Sequence, residues 1–247
     1  MISESIRIYR RPINEYALNL LLNAGVSSFL ARIIAARPLP EHEKSALAVI
    51  QGRLSDLSSP FLLQDMDKAV KRLRKALRDQ EIIAIETDHD CDGQTSHAVL
   101  STCLQTVFKH PNDKIQSYIG HRMYEGYGLS ESLCARILNN TLKPTLVITA
   151  DNGSSDEERI ATLKAHGIDV IVTDHHTIPA EGIPKSAYAV LNPTRTDCRF
   201  PDPYIAGCMV AWLFMAATRR TMIDVQELPE DAPSVIDVLD YVAVGTV

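Results

Sequence analysis

The chain has 247 residues, of which 45% are hydrophobic, 23% charged and 6% aromatic; this is the make-up of an ordinary globular protein and excludes disordered, collagen-like and disulfide-scaffold chains. Its 25 Lys and Arg stand against 31 Asp and Glu, a net charge of −6, which argues against holding nucleic acid by bulk positive charge but leaves room for a local basic groove. The five cysteines, Cys91, Cys103, Cys134, Cys198 and Cys208, contain no C-x-x-C pair, and with no signal peptide ahead of them they point to a reducing cytoplasm.

Between Pro12 and Ala36, apolar residues including Ala17, Leu18, Leu21, Leu22, Phe29, Leu30, Ile33 and Ile34 recur at helical spacing, with Gly25 as a stop. A second stretch, Asp65–Arg78, carries Met66, Ala69, Val70, Leu73, Ala76 and Leu77 on one stripe and Lys68, Lys71, Arg72, Arg74, Lys75 and Arg78 on the other face. That basic face reads as solvated or, alternatively, as a stripe facing phosphates. An N-terminal helical region over residues 1–80 is therefore expected to pack on a catalytic domain over 81–247.

From residue 81 the pattern changes to short β-branched runs alternating with helical segments. Strands are predicted at Ile82–Glu86, Ile115–Ile119, Leu146–Ala150, Asp169–Thr173 and Ala187–Leu191, and helices at about Gln94–Phe108, Leu129–Leu138 and Asp156–Ala165. The fold class is α/β, a parallel sheet of five or more strands with helices on both faces, after an N-terminal helical region. A loop over Arg195–Pro203 precedes the apolar run Ile205–Ala217, which at 13 residues falls short of the roughly 20 that a membrane span needs. It reads as a buried helix. Another loop covers Gln226–Pro233, and the chain stops within the apolar stretch Val242–Val247.

Ligands of an open parallel sheet bind beyond the carboxyl ends of its strands. There the predicted strands deliver Thr87-Asp-His-Asp-Cys-Asp-Gly93, then Gly120-His-Arg-Met-Tyr-Glu-Gly-Tyr-Gly128, Asp151-Asn-Gly153, Asp174-His-His176 and Asn192-Pro193. Five polar clusters at one edge make a site. On an extended backbone Asp88, Asp90 and Asp92 point to one side about 7 Å apart, and three such carboxylates call for a cation. A calcium loop is excluded, because counting from Asp88 the twelfth residue is Val99 and not glutamate.

Adjacent His175 and His176 point to opposite sides, so one imidazole is expected on metal and the other toward substrate phosphate or a supporting carboxylate. Carboxylates with imidazole and no thiolate suit Mn²⁺ or Mg²⁺. Asp151 stands where one carboxylate bridges two ions, the arrangement for phosphate-ester hydrolysis. Arg122 supplies a planar donor for phosphate oxygens, unless Glu125 claims it, and Tyr124 or Tyr127 can stack on a base. No nucleotide-binding G-x-x-x-x-G-K-[ST] loop, G-x-S-x-G elbow or dinucleotide glycine triplet is present.

T-D-H-D-C-D-G (87–93), A-D-N-G (150–153) and V-T-D-H-H (172–176) resemble the DHH phosphoesterase superfamily. H-R-M-Y-E-G-Y-G-L (121–129), L-N-P-T-R-T-D-C (191–198), I-A-G-C-M-V-A (205–211) and D-Y-V-A-V-G-T-V (240–247) resemble its RecJ branch of single-stranded-DNA-specific 5′→3′ exonucleases. The resemblance implies Asp88, Asp90, Asp92, Asp151 and His175 as ligands of a two-metal Mn²⁺ or Mg²⁺ site, with Asp174 supporting the histidines, His176 in a catalytic or phosphate-contacting position and Arg122 on substrate phosphate. It also implies degradation of single-stranded DNA in recombination and repair, beside single-strand-binding protein and away from any membrane.

Two departures accompany the resemblance. Gly207-Cys208-Met209 stands where the family reads Gly-Val-Gly, which leaves a close backbone approach there open. The family continues G-T-V with Ala-Asp, a further metal ligand, whereas this sequence ends at Val247, and the expectation is a catalytic domain cut short. The alternatives are a catalytically silent DHH fold acting in assembly, and a phosphodiesterase for short oligonucleotides or cyclic dinucleotides.

Overall fold

The computed structural model describes residues 9–37 and 44–247, which fall in two compact units, Met1–Leu57 and Ser58–Val247. In the first unit α1 (Glu15–Asn23), α2 (Ser28–Ala35) and α3 (Lys44–Gln51) enclose a small core of Ala17, Leu18, Leu21, Ala31, Ile34, Ala35 and Ala46. Asn14 Oδ1 caps α1 by accepting from Ala17 N at 3.0 Å, and Gly25, at φ 81°, makes the turn that separates α1 from α2.

The second unit begins with α4 (Met66–Arg78) and continues through β1 (Ile83–Thr87), α5 (Cys91–Thr102), β2 (Ile115–Ile119), α6 (Arg122–Glu125), α7 (Glu131–Leu138) and β3 (Leu146–Ala150). It closes with α8 (Glu157–Ala165), β4 (Asp169–Thr173), β5 (Ala189–Leu191), α9 (Gly207–Asp224) and α10 (Leu239–Thr246). The five strands form one all-parallel sheet in the order β2-β1-β3-β4-β5, with Ile83 opposite both Ile115 and Leu146. Helices cover both faces: Ile83, Ile85, Ile148 and Ile171 pack with residues of α4, α5 and α9, while Ala84, Val147, Val170 and Val172 pack with residues of α7 and α8. Burial on both sides is why these strands read as continuous apolar runs.

β1 runs Ile83–Thr87 and not Ile82–Glu86; at other bounds that differ from expectation, specific contacts account for the change. The helix expected from Gln94 starts at Cys91, because Asp90 Oδ1 caps it through Gly93 N at 3.0 Å. Gly93 is not a breaker there; a Cβ at this position would stand 2.5 Å from Asp88 O. Toward its end the same helix widens into a π-turn at Cys103–Val107, closed by Phe108 N donating to Cys103 O at 3.0 Å. β5 is shorter than Ala187–Leu191, since Ala187 N turns back to Pro184 O. α9 runs past its apolar core to Asp224, with the buried Thr218 hydroxyl donating to Phe214 O at 2.9 Å.

The basic face of α4 is not uniformly solvated. Arg72 is 5% exposed and donates to Asp169 Oδ2 at 2.5 Å, Glu81 Oε2 at 2.7 Å and Thr145 O at 3.1 Å. Burial works to raise the Glu81 pKa, but Lys75, Thr145 and Arg72 override it and hold the carboxyl at about 2, below its ordinary 4.5. A depressed carboxylate contributes stability above its unfolded pKa, and that contribution is lost as pH falls from about 4.5 toward 2. Arg72→Met is expected to cost about 2 kcal/mol at neutral pH, between the values for exposed and fully buried pairs. The variant should also flatten the acid limb of a urea-unfolding series, and an unchanged limb would refute this role.

Candidate metal centre

Strand order reverses at β1, whose neighbours β2 and β3 lead their loops to opposite sides, and this opens a crevice at the carboxyl edge. Asp88 follows β1, Asp151 follows β3, Asp174, His175 and His176 follow β4, and Asn192 follows β5.

The aspartate run is not extended. Asp88 directly follows β1, Asp90 is the N-cap of α5, and Asp92 lies in its first turn. The Asp92 carboxylate accepts from Gly207 N and Cys208 N, both at 2.7 Å, so it sits on the positive N-terminal end of α9. A D-x-D-x-D spacing is equally compatible with a strand and a helix cap; packing of Gly93 on Asp88 decides for the cap.

Asp151 is 1% exposed and holds a left-handed backbone at φ 66°. His175 Nε2 lies 3.1 Å from its Oδ1 and 3.5 Å from Asp92 Oδ2, yet Oδ1 has no hydrogen-bond donor in line. Burial raises the pKa of Asp151, and the nearby Asp92 and Asp90 charges add to that while His175 opposes it. The helix entry at Gly207-Cys208-Met209, where the altered sequence leaves a close approach open, is pressed against this carboxylate. A Cβ on Gly207 would collide with Asp151 Oδ1 and stand 2.9 Å from its Cβ.

Two sets of donor atoms, each within 4.8 Å of one another, meet here: Asp88, Asp90 and Asp151 form one, Asp151, His175 and His176 the other. Asp151 belongs to both. Asp92 stands beside them, engaged by α9. A buried carboxylate oxygen without a donor, among hard oxygen donors and imidazole, fits a divalent cation such as Mn²⁺ or Mg²⁺.

The two histidines have different partners. Asp174 is 1% exposed; its Oδ1 accepts from His176 Nδ1 at 2.8 Å and from the His175 and His176 amides, and its Oδ2 from Ser154 N at 2.9 Å. Burial alone would raise the Asp174 pKa, but the His176 and Ser154 donors outweigh it and hold the acid at about 2. The hydrogen bond to Asp174 in turn raises His176 to about 9, against the effect of its own desolvation, which favours the protonated ring in the metal-free chain; in that form the ring has no lone pair for a metal. Tyr127 Oη stands 3.1 Å from His176 Nε2, and Asn192 Nδ2 donates to His176 O and Ser154 Oγ, both at 2.9 Å.

Arg122, exposed on α6, reaches His89 Nε2 with Nη1 at 3.2 Å, while His89 Nδ1 lies 2.5 Å from Asp88 Oδ1. Arginine only donates, so His89 accepts at Nε2 and donates from Nδ1. Glu125 does not claim Arg122; it takes the His121 amide and Arg136 instead.

Sequence reasoning passed over His89 and the buried Glu86. Glu86 Oε1 accepts from Asn152 Nδ2 at 3.3 Å behind the Asp151 loop, and complete burial raises its pKa. A lone acid inside an apolar strand was its available signal.

A family model described as the DHH family, N-terminal domain, matches residues 67–246. The single-stranded-DNA-specific exonuclease RecJ of Dickeya dadantii is 34% identical over 244 residues, 98% of this chain and 40% of the relative. The RecJ of Escherichia coli is 31% identical over 250 residues, 99% of this chain and again 40% of the relative. A crystal structure of exonuclease RecJ bound to manganese superposes with a TM-score of 0.60 at 30% identity, covering 74% of this chain and 43% of that one. RecJ from Thermus thermophilus in complex with Mn²⁺ gives 0.55 at 26% identity, covering 74% and 24%. The chain thus spans about 40% of the length of these two curated relatives.

Proposed function

This chain belongs to the DHH family, and on that premise we propose that it hydrolyses phosphodiester bonds with divalent cations, as a RecJ-like 5′→3′ exonuclease on single-stranded DNA. The observation that carries the proposal is Asp151 Oδ1, a buried acceptor 3.1 Å from His175 Nε2 but with no donor in line, on the residue shared by two sets of possible ligands. Asp88, Asp90, Asp92, Asp151 and His175 would hold Mn²⁺ or Mg²⁺. When bound, the cations supply Lewis acidity that activates water and offsets charge on the phosphate.

The remaining groups bind and orient. His176, kept cationic by Asp174, presents positive charge and a proton at Nε2 to a phosphate oxygen. Tyr127 limits where that ring can turn. Arg122, steadied by His89, offers its planar donors to a second phosphate oxygen. Asp88 both faces the proposed cation and fixes the His89 tautomer.

Recombination and repair in the cytoplasm, beside single-strand-binding protein, is the proposed setting; among the described residues no helix is long and apolar enough to cross a membrane. Calorimetric titration with Mn²⁺ should show ion binding, and incubation with 5′-labelled single-stranded DNA should release the label as mononucleotide. Failure of both would reject the reading for this chain. Cleavage confined to dinucleotides would replace it with a short-substrate phosphodiesterase.

A further inference from the structure

At the opposite, amino-terminal edge of the sheet, a groove of about 300 Å³ is lined by Lys71, Arg72, Arg74, Lys75, Arg78 and Tyr188. Its distance from the metal centre follows from topology. Arg72 bonds Thr145 O, just before β3, Asp169 at the start of β4, and Glu81 ahead of β1.

We propose that this groove is a binding site for a phosphate group, separate from the metal centre. Four carboxylates, Asp79, Glu81, Asp169 and Glu227, hold four of its cations in place. Lys71 and the neighbouring Lys68, whose Nζ lies 5.1 Å over the Tyr188 ring, form no ion pair among the described residues. Positive charge is therefore in excess at Lys71. Arg72, itself 5% exposed, keeps Nη1 as a buried donor with no partner, while its Nε and Nη2 are used.

A phosphate monoester carries about −1.5 to −2 charges and three acceptor oxygens, against one charge on a carboxylate, a better match to several neighbouring cations; a nucleic-acid backbone carries one charge per phosphodiester and would meet them through successive phosphates. The ion pair of Arg78 with adjacent Asp79 is exposed at 66% and 40%. Pairs of that kind are weak enough to be exchanged for a phosphate.

The source is a free nucleotide or the backbone of a nucleic acid, and the two are separable. Binding of inorganic phosphate, a 5′-mononucleotide and a single-stranded oligonucleotide is measured on the metal-free full chain, on Lys71→Ala and on His176→Ala. Lys71→Ala should weaken the bound probe about tenfold, the scale of one charge-assisted contact, with an unchanged Tm; His176→Ala should retain binding at the groove. Mononucleotide or phosphate binding supports a free ligand. Binding of the oligonucleotide alone, with a log affinity against log salt slope smaller by about one in Lys71→Ala, supports a backbone phosphate. No binding of any probe by the parent chain, or affinities unchanged by Lys71→Ala, would overturn the site. Neither outcome touches the proposed nuclease reading, which is scored by Mn²⁺ binding and DNA cleavage.

Discussion

Asp151→Asn is expected to abolish the proposed DNA cleavage, by more than about a thousandfold, and to weaken the proposed Mn²⁺ binding beyond the roughly 10- to 100-fold typical of residues that merely support a ligand. The effect is large because Asp151 lies within reach of Asp88 and Asp90 on one side and of His175 on the other, so one substitution removes an oxygen shared by both. The same change should make the metal-free protein more stable, by about 1 kcal/mol, since it removes a buried carboxylate with a donorless oxygen. The sign with pH follows from the raised pKa of Asp151. A carboxylate harder to ionise in the folded state destabilises that state as pH rises above the ordinary carboxylate range, and the asparagine variant should lack this loss. Thermal unfolding in chelator, together with Mn²⁺ calorimetry and a cleavage assay, measures all three. A variant that binds Mn²⁺ as well as the parent would remove Asp151 from the centre.

Gly207→Ala carries the second large effect, and it tests packing more than chemistry. Its new Cβ would strike Asp151 Oδ1 and stand 2.9 Å from both Cβ and Cγ of the same residue. Asp151 has nowhere to retreat, being 1% exposed. Either α9 shifts, breaking the bonds from Gly207 N and Cys208 N to Asp92, or the carboxylate is displaced. We expect about 3 kcal/mol of destabilisation, the upper part of the usual overpacking range, and roughly a hundredfold loss of cleavage from misplacement of about an ångström. Met209→Ala, two residues on in the same helix, should spare the metal centre. Parent-like stability and activity in Gly207→Ala would show that this contact is relaxed in solution.

Most of the fold is legible in the chain because parallel strands buried on both faces leave a strong local trace. Leu146–Ala150 and Asp169–Thr173 are bounded as their β-branched runs predict. The ends of elements are less legible. Whether Gly93 breaks a helix or lies inside its first turn depends on Asp88 O standing close to it, and the spacing of Asp88, Asp90 and Asp92 is the same either way. The basic face of α4 misleads for a similar reason. A charge run reads as solvated, but Arg72 is buried and bonds Asp169, 97 positions away.

By itself the sequence determined the α/β class, the five strands and the gathering of acids and histidines at their carboxyl ends, because periodicity and strand-end chemistry are local properties. Tertiary structure alone decided which oxygen each group presents. Asp92 meets the two α9 amides across 115 and 116 positions, Arg122 meets His89 across 33, and Gly207 is pressed on Asp151. Those relations depend on how α9 and the loops after β1, β2 and β3 converge, and distance in space between segments far apart in the chain leaves no period in the sequence to read.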